Sequence, residues 1–230
     1  MISVILIEPS FPGNIGSICR AMANFEFNEL IIVNPKCDVF ASDAIKMSKW
    51  GSDILKKAKI VDFDYLKKFD YLIGTTGKVG TTDYNIIRSP ITPDELADLI
   101  NKKENSKIAI LFGREDKGLT NEELELCDFV VSIPASKKYP ILNLAQAATI
   151  IFYELFKNNN SKLSNLSHIK YATAKEKEIL MSILKNKLDK MHFATKEKKE
   201  TQIKVWKRMI GKSFLTKREA MALMGFLKRI

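Results

Sequence analysis

Cysteine and histidine are scarce in this chain of 230 residues. Cys19, Cys37 and Cys127 are odd in number and form no C-x-x-C pair, and His168 and His192 stand far from them. Neither a disulfide framework nor a zinc site is indicated, and a reducing, cytoplasmic setting is expected. Long apolar runs are missing too. The stretch Ile2 to Ile7 spans six residues and ends at Glu8, far short of the roughly 20 that a membrane span needs, and it has no basic leader. Neither a membrane anchor nor export is expected. Arginine is sparse as well, with 6 against 31 lysines, and Arg20 is the only one among the first 87 residues. Where lysine is the default cation, an isolated arginine points to its planar fork of donors, which grips phosphate or carboxylate with two parallel bonds.

What the chain does have is charge of one sign in one place. Residues 157–230 hold 19 Lys and Arg against 6 Asp and Glu, a surplus of 13, whereas the preceding part holds 18 against 21 and is slightly acidic. A near-neutral body joined to a strongly basic tail reads as one part that does chemistry and one that meets a polyanion, with nucleic acid favoured over a merely solvated lysine face.

Apolar runs of strand length recur at Ile2–Ile7, Leu30–Val33, Lys59–Val61, Tyr71–Ile73, Ile108–Phe112 and Phe129–Ile133, with helix-period segments between most of them. Runs that are apolar on both faces predict an α/β domain with a mostly parallel sheet covered on each side. Most of the glycines before residue 120 sit just beyond these runs, at 13, 16, 74, 77, 80, 113 and 118, on the rim where such sheets bind ligands. After Phe156 the polar stretch KNNNSKLSNLSH marks a domain boundary, giving a domain of residues 1–157 and a basic helical one of 158–230. In the latter, Thr173 with Glu176 and Thr216 with Glu219 match the capping box. Ile179, Leu180, Ile183, Leu184 and Leu188 form one apolar stripe, and Ile203, Trp206, Met209 and Ile210 another, as packing faces of a small bundle.

The loop PSFPGNIGSICRAMANF, residues 9–25, is not a dinucleotide fingerprint, which needs G-x-G-x-x-G, nor a P-loop, which needs Gly-Lys-Ser/Thr. Two further segments join it. ILFGREDKGLTNEEL ends a buried run and opens a helix capped by Thr120 with Glu123, and VVSIPASKKYPILNLAQAATIIFYELF passes through a proline loop into an apolar helix. Taken together, N-x-G-x-x-x-R from Asn14 to Arg20, G-x-E-x-x-G from Gly113 to Gly118, and I-P followed by L-N-L-A-x-A between Ile133 and Ala147 resemble the three motifs of the SPOUT-class RNA 2'-O-ribose methyltransferases (SpoU/TrmH superfamily). Within that class the segments EPSFPGNIGSICRAM, FGREDKGLTNEELELC and YPILNLAQA are similar to those of the TrmJ-type tRNA methyltransferases, and the likeness extends into the helical tail.

The resemblance implies a parallel sheet whose last stretch, roughly residues 107–156, is threaded as a trefoil knot. It implies S-adenosyl-L-methionine (SAM) as cofactor, no metal, tRNA as partner, and a homodimer whose active site is shared between subunits. It carries SAM contacts to Thr75, Thr76 and Gly77, to Gly113 and Ile133, and to Pro140, Ile141 and Leu142. Arg20 becomes the catalytic arginine, with Asn14, Glu115 and Asn143 orienting it and bracing the loops, although Glu115 could equally cap a helix. Lys78 and Arg114 stand at RNA-contact positions, Lys78 where relatives place arginine. Ile141 replaces a serine found in many relatives, so the chain has no hydroxyl to offer there. Arginine stays protonated up to a pKa above about 12, so Arg20 is read as positioning the substrate phosphate and stabilising charge, with proton removal the role the family implies. The target implied is the 2'-hydroxyl of tRNA nucleotide 32. A ribosomal RNA or another tRNA site, or a non-catalytic module binding RNA or SAM, are the alternatives.

Overall fold

The computed structural model describes residues 2–77, 90–100, 106–159 and 170–229. Six strands are described: β1 (Ile2–Ile7), β2 (Glu29–Val33), β3 (Lys59–Val61), β4 (Tyr71–Thr75), β5 (Ile108–Phe112) and β6 (Phe129–Val131). Between them run the helices α1 (Pro12–Asn24), α2 (Ser42–Ser48), α3 (Ser52–Lys56), α4 (Pro93–Ile100) and α5 (Asn121–Leu126). After β6 come α6 (Leu144–Asn159), α7 (Ala174–Lys190), α8 (Lys196–Lys212) and α9 (Lys217–Arg229).

The strands form one sheet in the order β3-β2-β1-β5-β4-β6, and every pairing is parallel. Alternation along β1 explains why its sequence is apolar but for the buried Ser3, whose hydroxyl donates to Glu29 on β2. Val4 and Leu6 join Ile15, Ile18 and Met22 of α1 and Phe152 of α6 in one cluster. Ile5 and Ile7 join Leu66, Phe69, Leu119 and Leu124 on the opposite face. With both faces covered, a strand has no position that tolerates a polar side chain pointing to water. The expected α/β sheet is therefore present, with three small shifts: β2 begins at Glu29, β4 runs on to Thr75, and β6 stops at Val131, where Ile91 bridges to it in parallel.

The strand order reverses beside β1, because β2 and β3 extend one way while β5, β4 and β6 lie the other. Loops leaving the carboxyl ends of β1 and β5 are thereby neighbours although about 100 residues separate them in the chain. That juxtaposition is the switch point at which open α/β sheets place a ligand crevice.

The tail is helical as expected, and both anticipated capping boxes form: Thr173 with Glu176 at α7, and Thr216 with Glu219 before α9. The apolar stripes are narrower than the sequence suggested. Of the apolar stripe on α7 only Leu180, Leu184 and Leu188, four apart, are buried, while Ile179 is exposed. On α8 Ile210 is buried and Met209 is exposed. The difference has a cause outside the bundle, because the tail spends part of its surface on the sheet. Phe214 stacks on Phe129 at 4.8 Å and packs on Tyr71 at 5.3 Å. Lys177 is buried beneath them, where its ammonium donates to the Asp70 carbonyl, faces Asp128 at 3.5 Å and lies 3.7 Å over the Tyr71 ring. Burial pushes the Lys177 pKa down and that of Asp128 up, each opposed by the charge of the other. α6 continues to Asn159, past the boundary expected at residue 157, and residues 160–169 lie outside the described part.

Candidate active site

Helix α1 begins without a cap of its own. Phe11 occupies the N-cap position, Pro12 is the first helical residue, and no local side chain satisfies the free amides. The cap comes from the β5 loop instead. The Glu115 carboxylate accepts from the backbone N–H of Ser10 at 3.1 Å and of Phe11 at 3.2 Å, and from the Asn14 side-chain amide at 3.1 Å. A carboxylate at a helix N-terminus is favoured both by the unpaired amides and by the helix dipole. Glu115 is thus a helix cap after all, but of α1 rather than of the helix that follows it in sequence.

The relay continues. The Asn14 carbonyl oxygen accepts from the Asn143 side-chain amide at 3.1 Å, and the Asn143 carbonyl oxygen accepts from the amides of Ala145 and Gln146 as the cap of α6. One residue from each sequence motif therefore meets in a single hydrogen-bonded line, Glu115 to Asn14 to Asn143. Side-chain amides used at both ends hold their orientation firmly, since turning either would leave donors facing donors.

A cavity of about 200 Å³ opens on one side of this line. Its walls are the loops that leave β4, β5 and β6: Thr75 to Gly77, Gly113 to Leu119, and Ile133 with Pro140 to Leu142. Leu144, Ala147 and Ile151 of α6 form an apolar floor, a role that an apolar helix pattern does not distinguish from core packing. All eight residues expected at the cofactor line it, Thr75, Thr76, Gly77, Gly113, Ile133, Pro140, Ile141 and Leu142. Thr75 is turned away, its hydroxyl donating to the Leu111 carbonyl at 2.9 Å. A Cβ on Gly77 would come 2.9 Å from the Ile141 side chain, so the Ile141 loop closes directly over the β4 loop.

The β5 loop is a compact hairpin. Arg114 and Gly118 exchange backbone hydrogen bonds of 3.2 and 2.8 Å, and Gly118 has φ +70°. A Cβ at Gly113 would lie 2.1 Å from the Gly118 carbonyl carbon. Glycine at 113 is thus needed by the loop itself, which gives it a role beside the close cofactor approach expected of it.

Arg114, expected at the RNA, is held by carboxylates of its own chain. Its Nε donates to Glu8 at 2.9 Å, its two terminal nitrogens donate to the Glu123 carboxylate at 3.0 Å each, and one also reaches the Gly118 carbonyl. The side chain is only 18% exposed. Its donors are thus engaged in clamping β1, the hairpin and α5 together, and these carboxylates, Glu123 first, hold its pKa further above the ordinary value. The motifs do not mark Glu8 or Glu123 as site residues, although Glu123 is visible in the sequence as the capping partner of Thr120.

Glu8 sits at φ 47°, a left-handed conformation unusual for a side chain that is not glycine or asparagine. The hydrogen bond from Arg114 is the largest influence on its pKa. That bond, with the charges of Arg114 and Lys36, outweighs partial burial and keeps Glu8 below the usual 4.5. A depressed folded pKa means that the clamp's stability is fully present above 4.5 and is lost as pH falls through the lowered value. Thermal melts are therefore expected to show Glu8→Gln less stable than the parent at neutral pH, with the two curves converging in acid. Parallel curves would remove Glu8 from the clamp.

Arg20 lies apart. It is exposed on α1, its side chain makes no hydrogen bond or ion pair with any described residue, and it lines neither this cavity nor the neighbouring cleft. Six residues of helix set it about 9 Å along the axis from Asn14. The adjoining open cleft, of about 670 Å³, contains Phe11, Gly13, Asn14, Ser17, Lys46 and Met47, and shares Glu115 and Leu144 with the first cavity. Lys78, expected at RNA, falls outside the described residues. Among the described residues there is no cluster of potential metal ligands, and no helix is long and apolar enough to cross a membrane.

The geometry can be set beside known proteins. The family model described as the SpoU rRNA Methylase family matches residues 1–153. A protein of Methanocaldococcus jannaschii named tRNA (cytidine-2'-O-)-methyltransferase TrmJ is 41% identical over 231 residues, spanning 99% of each chain. The crystal structure of TrmJ from Z. mobilis ZM4 superposes with a TM-score of 0.73 at 26% identity, covering 100% of this chain and 98% of that one. The SpoU methyltransferase AviRb from Streptomyces viridochromogenes, solved in complex with AdoMet, superposes at 0.55 with 26% identity over 69% of this chain and 58% of its own.

Proposed function

The chain belongs to the SpoU rRNA Methylase family, and on that premise we propose that it methylates the ribose 2'-hydroxyl of tRNA, with nucleotide 32 of the anticodon loop as its target. Membership makes it a SAM-dependent methyltransferase; the tRNA substrate is supported by the names of the relatives that span its whole length. The observation that carries the reading is the line from Glu115 through Asn14 to Asn143, which fixes three distant loops around one cavity.

The cavity suits SAM in its chemistry. Backbone-rich loops and an apolar floor offer an uncharged seat for an adenine, and the carboxylates of Glu115 and Asp116 on its wall complement a sulfonium cation. SAM, when bound, supplies an activated methyl group. The work left to this chain is to bring the ribose oxygen into line with that methyl and to let the hydroxyl proton leave. Alignment of this kind is worth on the order of 7–11 kcal/mol. The wall residues Thr76, Gly77, Gly113 and Ile133, with Pro140 to Leu142, hold the cofactor, while Arg20 grips the phosphate beside the target and steadies the charge that develops on the oxygen.

Arg20 of the same chain stands beyond the cavity rim, which supports a homodimer in which each cavity is served by Arg20 of a second copy. Residues 1–157 then form the catalytic domain, knotted through its last third, and residues 158–230 present the basic surface to tRNA. The enzyme works in the cytoplasm, where its substrate is. Mass spectrometry of an unmodified tRNA transcript incubated with protein and SAM tests the reading. One added methyl on the ribose of nucleotide 32 is expected, and a 2'-deoxy substitution there abolishes it. Methyl transfer to ribosomal RNA instead would move the substrate, and RNA binding without any transfer would leave a binding module.

A further inference from the structure

Trp50 is 95% exposed, on the turn between α2 and α3. Tryptophan is among the more buried residues on average, because its large ring gains most from leaving water. An indole held almost entirely in solvent therefore requires a reason.

The turn that carries it is strained and closely packed. Lys49 has φ 48° and ψ −119°, a combination that side chains strongly avoid. The flanking residues hold it there. Ser48 is buried, its hydroxyl donating to the Ile45 carbonyl at 2.8 Å. Gly51 is pressed against α1 so closely that a Cβ would lie 2.2 Å from the Cys19 carbonyl oxygen and 2.8 Å from the Arg20 amide nitrogen. Strain that the surroundings over-determine is found at ligand clamps. Here it turns the indole outward from the point where the chain touches the helical turn bearing Arg20.

The surroundings favour an anion. Residues 42–57 carry Lys46, Lys49, Lys56 and Lys57 against Asp43 and Asp53, on a domain that is otherwise slightly acidic, and Arg20 adds a further exposed cation alongside. A free aromatic face among cations is the arrangement that binds single-stranded nucleic acid, with the ring under a base and the cations at the phosphates.

We infer that Trp50 is a stacking platform for an unpaired nucleobase of the RNA substrate, next to the nucleotide whose phosphate Arg20 holds; this rests on the proposed RNA methyltransferase activity. Because the turn is preformed, little ordering accompanies binding.

The chain has two tryptophans, Trp50 and Trp206. In a Trp206→Phe background, Trp50 is the sole indole, and its fluorescence is expected to be quenched by tRNA but not by SAM. Trp50→Ala is expected to raise KM for tRNA roughly 5- to 150-fold with kcat little changed, and Trp50→Phe to recover most of the loss. Unchanged KM and fluorescence would overturn the inference, and so would a fall in native mass of Trp50→Ala to that of a monomer, which would make the indole a contact between copies. Quenching by tRNA in a parent that transfers no methyl would uphold the platform and remove the activity assigned to the protein.

Discussion

Arg20→Ala is expected to lower methyl transfer to tRNA by about 10²–10⁴-fold, while SAM affinity and melting temperature stay close to those of the parent. The separation follows from where the side chain is. Arg20 is exposed and makes no ion pair with the described residues of its own chain, so its loss strands no partner and opens no cavity. It does not line the cavity assigned to the cofactor, so SAM should not register the change. A mixing experiment sharpens the point. Gly77→Val directs a branched side chain at Ile141 across that cavity, and is expected to be inactive through loss of SAM binding. If each site takes its arginine from a second copy, equal mixing of the two inactive variants leaves half of the dimers mixed, each with one intact site. About a quarter of the parent activity should then return. No recovery after verified subunit exchange would mean that each chain completes its own site.

The parallel sheet was legible because burial on both faces of a strand leaves a mark along its length: β5 and β6 read as unbroken apolar runs, and β1 as one broken only by the buried Ser3. The cofactor loops were legible through resemblance, and the strand order then brought all eight residues to one cavity. What could not be read were pairings between distant segments whose partners carry no local signature. Glu115 looks like an ordinary acidic residue after a strand, and its use as the cap of α1 depends on β5 lying beside β1, about a hundred residues earlier in sequence. Arg114 looks like a free cation in a Gly-rich loop until Glu8 and Glu123 close on it. Lys177, one lysine among many in a basic tail, gives no hint that it is buried against Asp128 and Tyr71.

That buried lysine decides how the tail's role in RNA binding should be tested. Removing residues 160–230 would uncover Tyr71, which is 1% exposed, and Phe129, against which Phe214 stacks. Such a truncation would destabilise the catalytic domain and confound affinity with folding. Neutralising lysines that already face water avoids this. Lys185, Lys190, Lys198 and Lys228 are exposed on α7, α8 and α9, and none takes part in the packing of Ala172, Leu180, Ile210 and Ala220 at the centre of the tail. Changing all four to glutamine is expected to weaken tRNA binding at low salt and to flatten its salt dependence. Each phosphate that no longer meets a lysine reduces the slope of log K against log salt by about 0.7–0.9, so a fall of about 2.8–3.6 is expected if all four touch phosphate. SAM binding and the melting temperature should not move. An unchanged slope would show that the tail's surplus of positive charge serves solubility, and that the RNA is held by the catalytic domain alone.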